Sequence, residues 1–216
     1  MDTNKPVAAL FDFDGVVMDT ETQYSKFWAY QGRKYHPEIS DFDQLIKGST
    51  LDQIFEKHFE GMKDIREQIR RELDRFEAEM DYKYIPGVQE FMNNLRDNNV
   101  KIAIVTSSNE KKMANVYRIH PELQDQVDRI LTADCFAKSK PDPECFLLGA
   151  KIFETTSENS FVFEDSFNGL MAGNRAGMHV IGLSTTNPYE SIKDKAHLVI
   201  ENFEDFNYQR MIELAE

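Results

Sequence analysis

Val7-Ala8-Ala9-Leu10-Phe11-Asp12-Phe13-Asp14-Gly15-Val16-Val17-Met18-Asp19-Thr20 is the stretch from which the fold can be worked out. It opens as a short, almost unbroken apolar run, the pattern of a strand buried on both faces of a parallel sheet. Two aspartates two positions apart, and then a glycine, end the run. Burying an unpaired carboxylate is costly, so two of them beside a hydrophobic strand need a partner. A hard divalent cation, which takes oxygen ligands, is the simplest one. The carboxyl ends of strands are also where open parallel sheets bind ligands. Taken alone, the stretch also admits a second reading, a strand that leaves the core through an acidic Asp-Gly turn.

Outward from this strand the periodicity changes. Tyr24, Phe27, Trp28 and Gln31 lie at helical spacing, with Thr20 placed as the cap and Gly32 and Pro37 expected to break the helix. A second helix is predicted over Thr50–His58, with Ser49-Thr50 as its cap. A third follows from Ile65, Ile69, Leu73, Phe76 and Met80, with Glu67 and Arg71 able to pair across one turn. After Pro86-Gly87 the pattern becomes β/α alternation. Strands are predicted at Val100–Val105, Arg129–Thr132, Ser160–Phe163, His179–Leu183 and His197–Ile200, with helices between them. Such alternation implies an α/β, doubly wound, Rossmann-like parallel sheet covered on both faces. The predicted organisation is a catalytic core of residues 1–17 and 85–216, interrupted by an all-helical cap over 18–84. A helical unit hinged directly after the two aspartates is placed to cover whatever they hold.

Composition narrows the function. Across 216 residues, 25 Lys and Arg face 38 Asp and Glu, a formal charge of −13 that argues against sequence-independent nucleic-acid binding. Cys135 and Cys145 are the only cysteines; their spacing suggests neither a disulfide framework nor a zinc site, and both are expected reduced, in or near the core. No secretory signal and no 18-residue apolar span is evident, so a soluble, cytoplasmic protein without a membrane partner is expected.

Three more features fall just past strand ends, on the side of the sheet where Asp12 lies. Thr106-Ser107-Ser108-Asn109 offers hydroxyls and amides that suit a phosphate oxygen, and it is equally an ordinary helix cap. Lys140, before Pro141-Asp142-Pro143, is either a cation held in a defined direction or a surface lysine ahead of a proline-started helix. Glu164-Asp165 repeats the acidic oddity of Asp12 and Asp14 at a second strand end, and one shared cation resolves both.

In this order, Asp12-Phe13-Asp14-Gly15, Thr106, Lys140-Pro141 and Glu164-Asp165 resemble the haloacid dehalogenase superfamily over essentially the whole chain, and within it the phosphatase and β-phosphoglucomutase-like branch. The resemblance implies that Asp12 is the nucleophile that forms an aspartyl-phosphate and that Asp14 is the general acid and then base. It also implies that Thr106, Ser107 and Ser108 contact the phosphoryl group and that Lys140 offsets its charge. Asp12, the Asp14 carbonyl and Asp165 would hold Mg2+, with Glu164 helping directly or through water. Dehalogenases of the family lack an acid at the Asp14 position, so phosphoryl transfer is expected. The expected partner is a small phosphorylated metabolite, such as a sugar-phosphate-like phosphomonoester. Hydrolysis is expected over mutase action. β-Phosphoglucomutases carry a histidine where this chain has Tyr24, and a cap arginine where Gly48-Ser49-Thr50 is followed here by Leu51. A non-catalytic phosphometabolite-binding protein is the remaining alternative.

Overall fold

The computed structural model describes residues 1, 2 and 4–215. Strand β1 (Ala8–Phe11) is followed by helices α1 (Glu21–Tyr35), α2 (Phe42–Leu45), α3 (Leu51–His58) and α4 (Lys63–Glu79). Next come α5 (Val88–Asp97), β2 (Lys101–Val105), α6 (Glu110–Ile119), α7 (Leu123–Gln126) and β3 (Arg129–Leu131). The chain ends with α8 (Glu144–Ile152), β4 (Ser160–Glu164), α9 (Phe167–Arg175), β5 (His179–Leu183), α10 (Tyr189–Ile192), β6 (Leu198–Ile200) and α11 (Tyr208–Ile212).

All six strands are parallel, in the order β3-β2-β1-β4-β5-β6. The chain winds outward to β3, then crosses back to β4 on the other side of β1. That reversal makes the end of β1 the switch point at which a crevice opens. Because strand side chains alternate, β1 serves both faces. Ala9 and Phe11 join the cluster with Phe91, Phe163 and Phe203, and Phe11 stacks on Phe163 at 4.4 Å. Ala8 and Leu10 join Phe146, Val162 and Leu170 on the opposite face. This double burial explains why β1 reads as a continuous apolar run rather than an alternating one.

Helices α1–α4 pack around Trp28, Phe42, Ile54, Phe55, Phe59 and Ile69 in a cluster of their own. The two connections to this insertion run side by side: Asp19 N–H donates to Lys83 O at 2.7 Å and Ile85 N–H to Val17 O at 2.9 Å. Thr50 caps α3 with a reciprocal bond to Gln53, as its sequence predicts, and Arg71 meets Glu67 at 3.6 Å. Gly32, expected to break α1, lies inside it instead; a Cβ there would come within 2.5 Å of the Phe42 Cβ, so the glycine admits a neighbouring side chain. Cys145 is buried as expected, but Cys135 is exposed. No described helix is long and apolar enough to cross a membrane.

Candidate active site

Four strand ends assemble the floor of the crevice. Asp12 leaves β1 with its N–H still donating to Phe163 O at 2.9 Å, so the sheet fixes where its carboxylate points. Lys140 reaches in from the loop before α8. Its Nζ lies 2.5 Å from Asp12 Oδ1, 2.7 Å from Glu164 Oε1 and 3.0 Å from Val105 O. Glu164, the last residue of β4, is fully buried; its Oε2 accepts from the Asp165 and Ser166 amides and the Ser166 hydroxyl, at 3.0 to 3.1 Å. Asp165 follows. Thr186 donates its hydroxyl to Asp165 Oδ2, and Asn187 Nδ2 donates to the Asp165 carbonyl at 2.9 Å. Gly15, at φ +74°, passes directly over this group, where a Cβ would collide with the Asp165 carboxylate.

One buried lysine faces three buried acids, and the imbalance shows in their titration. Burial pushes Asp12 up to about 7, with Lys140 opposing and Glu164 and Asp14 adding to the rise. Burial, together with Glu164 and Asp12, drives Asp165 well above the ordinary aspartate range. Burial also pushes Lys140 down, but Asp12 and Glu164 outweigh it and hold the ammonium above its ordinary value. Ligand oxygens of Asp12, Glu164 and Asp165 lie within 4.8 Å of one another. A surplus of buried, hard oxygen donors at this spacing suits Mg2+. Asp12 and Asp165 would ligate it, together with the Asp14 carbonyl, which accepts no hydrogen bond among the described residues. Both Glu164 oxygens are already engaged by Lys140, the two amides and the Ser166 hydroxyl, which favours an orienting or water-mediated part for this residue.

Asp14 points to a different set of partners. Thr20 donates to its Oδ1 at 2.5 Å, Ser108 to its Oδ2 at 3.0 Å, and Lys112 Nζ lies 2.5 Å from both oxygens. Thr20, expected to cap α1, makes no side-chain cap bond and serves Asp14 instead. Asn109 does cap α6, accepting from the Lys112 amide at 2.9 Å. Ser107 lines the cavity beside Asp12, Asp14, Lys140, Glu164 and Asp165, whereas Thr106 is buried behind it, its hydroxyl accepting from the Ser108 amide at 3.0 Å. Lys112 and Glu21 were not legible as site residues. A lysine within a helix and an acid in a helix's first turn are both commonplace, and Lys112 meets Asp14 only across 98 positions.

Two cavities meet here. One of about 120 Å3 sits over Asp12, Lys140 and Asp165. The other, of about 420 Å3, lies between α6 and the insertion and includes Tyr24, Trp28, Lys47, Arg70 and Glu77. Asp14, Glu21, Ser49, Thr50 and Ser107 line both. The insertion closes the roof through Asn168 Nδ2, 2.8 Å from Gly48 O, and Lys47 Nζ, 3.2 Å from Thr186 O.

Residues 9–183 match the family model described as haloacid dehalogenase-like hydrolase. The phosphorylated carbohydrates phosphatase of Thermotoga maritima is 29% identical, over 81% of this chain and 83% of the relative. The β-phosphoglucomutase of Bacillus subtilis is 25% identical over 84% of each. In fold, a family IA, variant 3 hydrolase from Entamoeba histolytica superposes with a TM-score of 0.82 at 22% identity, covering 97% of this chain and 99% of that one.

Proposed function

The chain belongs to the haloacid dehalogenase-like hydrolases, and from that premise we propose that it is a magnesium-dependent phosphatase. Its substrate is a small phosphorylated metabolite, and Asp12 carries the phosphoryl group as an aspartyl-phosphate. The observation that carries the proposal is the separation of the two aspartates. Asp12 shares a buried cluster with Lys140, Glu164 and Asp165, while Asp14 is held two residues on by Thr20, Ser108 and Lys112.

When bound, Mg2+ supplies charge neutralisation for the phosphoryl oxygens. The chain's own residues do the rest. A free Asp12 oxygen attacks phosphorus; the Asp12–phosphorus bond forms as the bond to the leaving oxygen breaks, and Asp14 delivers a proton to that oxygen. Lys140 holds Asp12 in place and balances its charge. Asp14 then takes a proton from water as the water oxygen bonds to phosphorus, and the bond to Asp12 breaks, releasing phosphate. Ser107, on the wall of the cavity over Asp12, offers a hydroxyl for a phosphoryl oxygen, and Thr106, whose hydroxyl accepts from the Ser108 amide, stands at the base of the same loop. The insertion over 18–84 acts as a lid that excludes water, hinged at the paired connections and closed by Lys47 and Gly48.

Hydrolysis is favoured over mutase action by Tyr24. Its hydroxyl donates to Glu77 at 2.8 Å, and burial, with the Asp14 and Glu77 charges, pushes it well above the ordinary tyrosine range, so it stays protonated. The test is phosphate release from p-nitrophenyl phosphate and a panel of sugar phosphates, with and without Mg2+. Mg2+-dependent release is expected. Rapid conversion of β-glucose 1-phosphate to glucose 6-phosphate, primed by the 1,6-bisphosphate and outrunning phosphate release, would overturn hydrolysis.

A further inference from the structure

Asp14 stands between two sets of partners. It lines the smaller cavity with Asp12, Lys140, Glu164 and Asp165, and its charge helps to raise Asp12. A further carboxylate this close to a surplus of buried acids is a ready additional ligand for any hard cation they attract. Once bound in that way, it could not exchange a proton with a leaving group or with water. Something in the chain has to hold it off.

Two of the groups that do so are neutral: Thr20 donates its hydroxyl to Oδ1 at 2.5 Å, and Ser108 donates to Oδ2 at 3.0 Å. The third is charged. Lys112 Nζ lies 2.5 Å from both oxygens, and no other cation pairs with Asp14 among the described residues. Bonds between two charged groups are the stronger kind. Lys112 lines the larger cavity and not the smaller, so its pull is directed away from the acid cluster. The ammonium is also built in place. Lys112 is only 4% exposed, unusual for a lysine, and its Nζ sits 4.7 Å from the centre of the Tyr24 ring and 5.6 Å from that of Phe13. Its charge reaches Glu21 and Glu77, but among the described residues neither accepts a hydrogen bond from it. Asp14 is the acid it grips.

Resting on the magnesium-dependent phosphatase proposal, we propose that Lys112 is a positioning residue that keeps the Asp14 carboxylate from ligating the metal and holds it toward the larger cavity, where the leaving group departs. Without the lysine, only two hydroxyls oppose the pull of a divalent ion, and the side chain turns toward the acid cluster. The metal then gains a ligand, and the reaction loses its acid–base group. A lysine that acted only through its charge would change Mg2+ binding by the same amount whether or not Asp14 is present. A lysine that acts by holding Asp14 would not, so the two roles separate in a double-mutant cycle.

The test is titration calorimetry of Mg2+ alone, without substrate, into wild type, Lys112→Met, Asp14→Asn and the double variant. Lys112→Met is expected to tighten the Mg2+ Kd in the wild-type background about tenfold more than in the Asp14→Asn background, the scale on which groups around metal ligands alter affinity. An equal gain in the two backgrounds, or no gain in either, overturns the role of Lys112. No Mg2+ binding by wild type counts against the phosphatase proposal instead. Turnover supplies the second readout. With p-nitrophenyl phosphate at saturating Mg2+, kcat of Lys112→Met should fall at least about tenfold although the metal is held more tightly, and in the Asp14→Asn background the same substitution should have little further effect. A kcat within twofold of wild type overturns the assignment. If Lys112→Met does not fold, Lys112→Gln, which keeps a hydrogen-bond donor and removes the charge, carries the same cycle with the same outcomes.

Discussion

The floor and the roof of the crevice are built by opposite means. On the floor, Asp12, Lys140, Glu164 and Asp165 are each at most 9% exposed; the three acids stand at or beside the ends of β1 and β4, whose direction the sheet dictates, and Lys140 reaches in from the loop before α8. On the roof, charges sit on helices at the ends of long side chains. In the Lys111–Asp74 pair, which joins α6 to the insertion, the side chains are 68% and 41% exposed. Buried, interlocked charges hold one geometry at a high energetic cost, which suits a fixed reaction. Half-exposed pairs cost little and change readily, which suits recognition of one substrate among many. Under the proposed function, this difference would give the chemistry to the floor and the choice of substrate to the roof.

Substitutions on the floor should therefore dwarf those on the roof. Asp12→Asn keeps the shape and removes the nucleophile; turnover should vanish while circular dichroism remains that of wild type. Asp14→Asn should lower kcat by about two to four decades, the scale of a positioned acid–base group. Wild-type turnover in either, from protein free of contaminating phosphatase, would break the contrast.

Next in size is the floor's lysine. Lys140→Met leaves Asp12 and Glu164 buried without their shared cation, and breaking such a buried pair destabilises by about 3–5 kcal/mol, measurable by urea denaturation. A loss below about 1 kcal/mol would mean that the floor behaves like the roof.

The acid cluster also predicts a pH dependence. Asp12 binds its proton up to about pH 7 in the folded protein, against an ordinary value of 3.8. Between those limits the folded state holds a proton that the unfolded state has released, so metal-free stability should fall as pH rises through this window. Under the proposed magnesium dependence, Mg2+ would take the proton's place. At saturation it should raise Tm by about 5–10 °C at pH 8 and by much less at pH 5. An equal effect at both values would contradict a shared-cation floor. The smallest effect is expected on the roof, where Lys111→Met should cost less than about 1 kcal/mol.

The same contrast explains what could be seen in the sequence. The floor was legible because acids next to apolar strands are anomalous in one dimension: Asp12 after Ala8–Phe11, and Glu164-Asp165 after Phe161–Phe163, stand out before any contact is known. The sheet and the helical insertion followed from periodicities that packing reinforces. The residues around Asp14 and at the start of the insertion carry no such anomaly. Glu21 looks like an acid placed for a helix dipole, Lys112 like a solvated helix lysine, and Thr20 like a helix cap. Their roles arise from the approach of α1 to α6 and the aspartate loop, which no local pattern encodes. Gly32 misled for the same reason, because the Phe42 side chain that requires it arrives from a later helix.

The central claim is that phosphate passes through Asp12. The most direct test is rapid acid quench of the enzyme during turnover with Mg2+, followed by peptide mass spectrometry. An adduct of about 80 Da on the peptide containing Asp12, absent from Asp12→Asn protein, is the expected result for a covalent aspartyl-phosphate. Phosphate release at the wild-type rate from Asp12→Asn protein, with no adduct on that peptide in either form, would contradict it.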